Sequence, residues 1–208
     1  MLPRSGRLSC TAAMALLGLL APPAVPRGEA APITFIFSGT GSGDVNGTPF
    51  SGAAFTITAN ANAVIPPPPG PLFNLDSISA TIGITGIGTG TFLIATRVFD
   101  AQDISVLGFS RAPFDLDLMD FEDPAFASYD LTTSLGPLLP GIGGTPGTPI
   151  DLDFSNVPTS LGDVTFTSAE DVTFTATAQA TGAVPEPSAL VLLGIGLAAL
   201  GLLGRRRS

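Results

Sequence analysis

A chain of 208 residues with no histidine, no lysine, no tryptophan and one cysteine lacks the parts for most catalytic machinery. Ser-His-Asp and Cys-His nucleophiles, zinc sites with nitrogen or sulfur ligands, and Schiff-base lysines are all excluded. The net charge is −9, and between positions 32 and 184 only Arg97 and Arg111 face fifteen acidic residues; that charge excludes nucleic acid as a partner, since phosphate binding needs cationic side chains.

In chain order, Arg4 and Arg7 form a basic leader, residues 8–21 an apolar run, and 22–26 a proline-broken segment. Gly28 and Ala30 supply small residues at the −3 and −1 positions of a cleavage site. Residues 1–30 therefore read as a signal peptide, with the secretion translocon and signal peptidase as partners. Cys10 leaves with it, so the mature domain has no disulfide.

The body reads as strands. Residues 33–38 are β-branched and aromatic. Asn46-Gly47, ahead of a strand centred on 55–58, is a hairpin signal, because both residues accept positive φ. Residues 66–71 are a proline-rich connector. Ile78, Ala80, Ile82 and Ile84 alternate with small or polar residues, predicting one buried face. Further strands are expected over 91–99, 104–109 and 126–131, with a long loop over 136–149. Val164-Thr-Phe-Thr and Val172-Thr-Phe-Thr are near copies and predict a hairpin. The expected fold is all-β: an antiparallel β-sandwich or jelly-roll-like domain over 32–180, its core filled by phenylalanine and isoleucine.

Carboxylates are the remaining chemistry. Asp115, Asp117, Asp120, Glu122 and Asp123 form the densest acidic stretch, with Asp115 and Asp117 expected on one strand face and Leu116 and Leu118 on the other. These five are candidate ligands for calcium, which takes six to eight oxygens. The stretch lacks the central glycine and distal glutamate of an EF-hand, and a solvated acidic face explains it as well. Pairs among Asp115, Asp117, Asp151 and Asp153 would serve a glycoside hydrolase if held about 5–10 Å apart.

At the other end, Val184 and Pro185-Glu186-Pro187 precede an uncharged apolar run, and Arg205, Arg206 and Arg207 follow it. About 16 helical residues span roughly 24 Å, a short match to a hydrocarbon core of about 30 Å. Prolines stop the helix upstream, and arginines hold the tail on the cytoplasmic side.

This order of motif, span and basic tail resembles the bacterial PEP-CTERM sorting signal, whose tail is also called an ice-binding protein C-terminal domain. The resemblance covers 181–208, with the motif at 185–187, a transmembrane helix over 188–204 and the basic tail at 205–207. It implies export, transient anchoring in the inner membrane, processing by an exosortase near Pro185-Glu186-Pro187, and a place in the cell envelope or outside the cell. The expectation is a non-catalytic envelope or extracellular-matrix protein, associated with exopolysaccharide. A calcium- or carbohydrate-binding module and a carboxylate-based glycoside hydrolase are the alternatives.

Overall fold

The computed structural model describes residues 29–65, 69–112, 116–141 and 145–179. Eleven strands form one antiparallel, curled sheet. They are β1 (Glu29–Val45), β2 (Thr48–Ile65), β3 (Leu72–Ile84), β4 (Gly88–Thr91), β5 (Thr96–Ala101), β6 (Val106–Arg111), β7 (Leu116–Glu122), β8 (Leu135–Leu138), β9 (Asp151–Leu152), β10 (Val157–Thr159) and β11 (Gly162–Ala178). The order is β10-β11-β1-β2-β3-β5-β6-β7-β9, with β4 on β3 and β8 on β11. No helix among the described residues is long and apolar enough to cross a membrane; the predicted span over 188–204 lies outside them, as do the motif at 184–187, the arginines at 205–207 and residues 1–28 of the leader.

Alternation sets the register. Ile33, Phe35 and Phe37 of β1 are buried, while Thr34 on the other face bonds Asn60 Oδ1 at 2.8 Å and Asn60 bonds Ser79 at 3.1 Å. A one-residue slip would reverse both faces. Asn46 (φ 50°) and Gly47 (φ 79°) make the expected two-residue turn joining Val45 to Thr48. At the opposite pole β1 begins beside the end of β11: Ile33 pairs with Ala178, and Gln179 N donates to Pro32 O at 2.9 Å. The chain therefore enters and leaves the body side by side. The expected cleavage after Ala30 falls within β1, whose first pairs are Glu29 with Ile65 and Ala30 with Val64.

The interior is a chain of phenyl rings. Phe126 meets Phe174 (5.6 Å between centroids), Phe174 meets Phe37 (5.3 Å), Phe37 meets Phe109 (6.1 Å), and Phe109 meets Phe92 (5.3 Å). It continues through Phe154 (6.2 Å) and Phe166 (5.4 Å) to Phe55 (4.9 Å). Rings of this size need small neighbours. Phe35 pairs with Ala59 on one side and Ala176 on the other. Gly41, on the inner side of β1, has no such room to give: a Cβ there would lie 2.7 Å from the Phe166 ring and 2.9 Å from Ser168 O. The segment Phe-Ser-Gly-Thr-Gly-Ser-Gly thus reads as space reserved for β11.

The curl closes through short links. Phe92 bridges Thr159, with Leu93 N donating to Pro158 O and Ser160 N to Thr91 O, both at 2.9 Å. Along the outer edge of β11, β10 and β8 pair at the two ends, and between them Phe166 N donates to Phe154 O (2.8 Å) and Val172 N to Gly147 O (2.9 Å). An edge so occupied offers no template for another chain.

Several expected elements differ. The Val-Thr-Phe-Thr copies lie in one 17-residue strand, β11, and not in a hairpin. No glycine or asparagine separates them, and a bulge at Asp171 (φ 52°) bends the strand where a turn was expected. Residues 126–131 form no strand: Pro124–Ser128 is a 3-10 helix capped by the Asp123 carboxylate, which accepts from Ala125 N at 2.8 Å. The expected strand over 91–99 is divided between β4 and β5. Ile78 is 68% exposed, because a register shift between Asn60 and Ala61 moves it out of the buried row of Ala80, Ile82 and Ile84. Tyr129, within the segment expected as a strand, is buried and its hydroxyl donates to Thr133 O (2.9 Å).

Two substitutions test this packing by urea unfolding. Phe37→Ala removes contacts to three rings, Phe109, Phe121 and Phe174, and is expected to cost about 3–5 kcal/mol. Gly41→Ala, which deletes nothing, is expected to cost about 1–3 kcal/mol through overpacking.

Candidate functional site

Most acidic side chains point into solvent, but two points in the fold hold carboxyl groups out of water. The first lies on the outer face of β3-β5-β6-β7-β9. Residues 117 and 120 of a regular strand fall on opposite faces. Here Ser110 pairs with Asp117, Phe109 with Met119 and Gly108 with Asp120, so one extra residue, Leu118, is inserted into β7. The bulge brings both aspartates to the outer face. It also leaves Leu116 52% exposed while Leu118 is buried, so the expected common leucine face does not form.

Two cross-strand rows make up the site. One runs Asp76, Arg97, Ser110, Asp117; the other runs Asn74, Phe99, Gly108, Asp120, Asp151. Arg97 is held by Asp76, with Nε at 3.0 Å and Nη2 at 2.9 Å from its Oδ1. Asp120 is 7% exposed, and its Oδ1 and the Ser110 hydroxyl are buried without a hydrogen-bond partner. Burial pushes the Asp120 carboxyl up to about 8, helped by the neighbouring charges of Asp117 and Asp151 and by a hydrogen bond with Asp117. Asp120 therefore keeps its proton at neutral pH.

Glycine shapes the floor. A Cβ at Gly108 would overlap Asp120 Oδ1 and come 2.5–2.6 Å from the Phe99 ring. Its absence lets the ring lean across the strand toward the aspartate, the arrangement by which an aromatic side chain covers a cross-strand glycine. Beside that ring is a concavity of about 200 Å³ lined by Leu72, Asn74, Phe99 and Asp117. A larger open cleft of about 560 Å³ lies between residues 145–149 and the β11 bulge, with Glu170 and Asp171 among its lining.

The second point is inside the core. Asp100 is fully buried in the inner row Phe73, Asp100, Leu107, Phe121, and neither carboxylate oxygen has a hydrogen-bond partner. Burial, then the charge of Asp130, pushes its carboxyl up to about 8. Burial and the charges of Asp130 and Asp100 also push the Tyr129 hydroxyl upward.

The five predicted calcium ligands are therefore separated. Asp117 and Asp120 adjoin, Glu122 is exposed two residues further along the same face, and Asp123 caps the 3-10 helix. Asp115 lies outside the described residues. No three acidic side chains among the described residues converge on a point that would hold a metal ion. Asn74, Phe99, Ser110 and Asp100 were not apparent as site residues in the sequence. In β5, alternation alone permits either phase, and the fold chooses the one that buries Asp100 and turns Phe99 outward.

Residues 183–207 match the family model described as the PEP-CTERM protein-sorting motif. No curated protein and no solved structure matches the chain. The motif defines the class: an exported protein, sorted to the cell envelope, whose body is an antiparallel all-β sheet. More particularly, the chain carries a PEP-CTERM sorting motif over residues 183–207, and that motif implies exosortase as its processing partner.

The two shielded carboxyls make a pH prediction. An unfolded aspartate loses its proton near 4, whereas folded Asp100 and Asp120 keep theirs to about 8. Their contribution to stability is present below about 4 and drains away as pH rises to about 8. Melting temperature should therefore fall between pH 5 and pH 8, and Asp100→Asn should remove about half of that fall.

Proposed function

We propose that this is a non-catalytic protein of the envelope or extracellular matrix, associated with exopolysaccharide. It is held briefly in the inner membrane by residues 188–204 and then processed near Pro185-Glu186-Pro187. The sorting motif at 183–207 carries the reading. The body suits such a destination: the outer edge of β11 is occupied, and its β1-β2-β3 outer face carries a hydrogen-bonded ladder of Thr34, Asn60 and Ser79. Its entry and exit points share one pole, so a leader and a sorting tail attached together leave the opposite pole directed away from the membrane.

For one acid pair, Asp117 and Asp120, the geometry weighs against two-carboxylate hydrolysis. Two-carboxylate glycoside hydrolysis needs a gap of about 5–10 Å for water or sugar between the groups. Asp117 and Asp120 instead hydrogen-bond each other.

Expression in hosts with and without exosortase tests the reading. With the enzyme, the chain should lose the mass of its tail and appear in the matrix fraction. Without it, or with 183–208 deleted, processing should cease and the distribution should change. Identical mass and location in all cases would refute the proposal.

A further inference from the structure

The outer-face concavity has a chemistry beyond general association with a matrix. From the juxtaposition of Phe99, Asn74 and Asp117 beside a buried, unpartnered Asp120 oxygen, we propose that it is a binding site for one neutral hexose unit of a polysaccharide. The inference rests on the matrix reading above and specifies the ligand.

Its size, about 200 Å³, suits one pyranose ring and is too small for a folded peptide segment. Its lining divides as a sugar does. The Phe99 ring and Leu72 offer an apolar wall, and Leu72 is 55% exposed. A pyranose carries a face of C–H groups that packs on such a wall, and aromatic rings supply large contact at little entropic cost. The rest of the lining is polar: the Asn74 amide both donates and accepts, and the Asp117 carboxylate accepts from hydroxyls. A bound ring would thus meet apolar surface on one side and hydrogen-bonding partners at its rim, the usual composition of a small-ligand site.

The charge restricts which sugars fit. Arg97, the cation nearest in the rows, is engaged by Asp76, and Asp117, Asp120 and Asp151 gather on one face. A uronate or a phosphorylated sugar would meet that negative charge, and a neutral hydroxyl would not. Asp120 is a positioning residue. Its hydrogen bond holds Asp117 in place, and Gly108 provides the room in which Asp120 and Phe99 approach each other.

The test uses the exported protein recovered from an exosortase-bearing host, titrated by calorimetry and by saturation-transfer NMR. The probes are maltohexaose, cellohexaose, trigalacturonate and calcium chloride. At least one neutral oligosaccharide should bind, and trigalacturonate should not. Phe99→Ala and Asp117→Asn should each weaken that binding about tenfold, and Asn74→Ala should also weaken it. Circular dichroism and melting curves on each variant separate loss of binding from loss of fold. Absence of neutral-sugar binding, equal binding of trigalacturonate, a response to calcium alone, or binding unchanged in folded Phe99→Ala and Asn74→Ala would each overturn the assignment. Sedimentation of the wild type with host exopolysaccharide separates the two levels. If the wild type does not sediment, the matrix reading falls; if wild type and variants sediment equally, only this site falls.

Discussion

The structure depends on filling one curled sheet with phenyl rings. Rings from Phe126 through Phe174, Phe37, Phe109, Phe92, Phe154 and Phe166 to Phe55 touch in succession along the interior. A rigid planar side chain is a demanding core element, because a neighbour that is too large cannot bend around it. The constraint passes to the backbone. Ala59 and Ala176 flank Phe35, and Gly41 lies under Phe166. The sequence holds one cysteine and so forms no disulfide within itself; this packing and the sheet's hydrogen bonds hold the fold.

Two irregularities in the strands matter as much as the packing. A bulge inserts a residue where the opposing strand is not obliged to match it. At Leu118 that insertion turns two aspartates to one face, and at Asp171 it bends the strand that lies alongside β1. The site on the outer face is thus a by-product of how the inner face is packed: β7 shifts phase to bury Leu118 and Met119, and Asp117 and Asp120 follow.

This explains what the sequence could reveal. Features encoded locally were legible: the Asn46-Gly47 turn, the inward row of Ala80, Ile82 and Ile84, and the sorting motif, which depends on composition and order within 25 residues. Features encoded by a partner strand were not. Nothing in Leu-Asp-Leu-Met-Asp announces a bulge, which appears only in the register of β7 against β6. Nothing between the two Val-Thr-Phe-Thr copies signals a turn, and none forms, but repetition suggested one. Asp100 in the core contradicts any reading of hydropathy, because β5 had to choose between burying it and burying Arg97.

The side-by-side pairing of Ile33 with Ala178 also has a mechanical meaning. Force that draws Pro32 and Gln179 apart at that pole would break the β1-β11 bonds one after another, as a zip opens, and would meet little resistance. Force between the tail and the far pole, near Asn46 and Gly47, would instead load the same bonds together in shear. A tether attached through the tail, with drag acting on the distal turns, puts the long β1-β11 seam under the load that it withstands best.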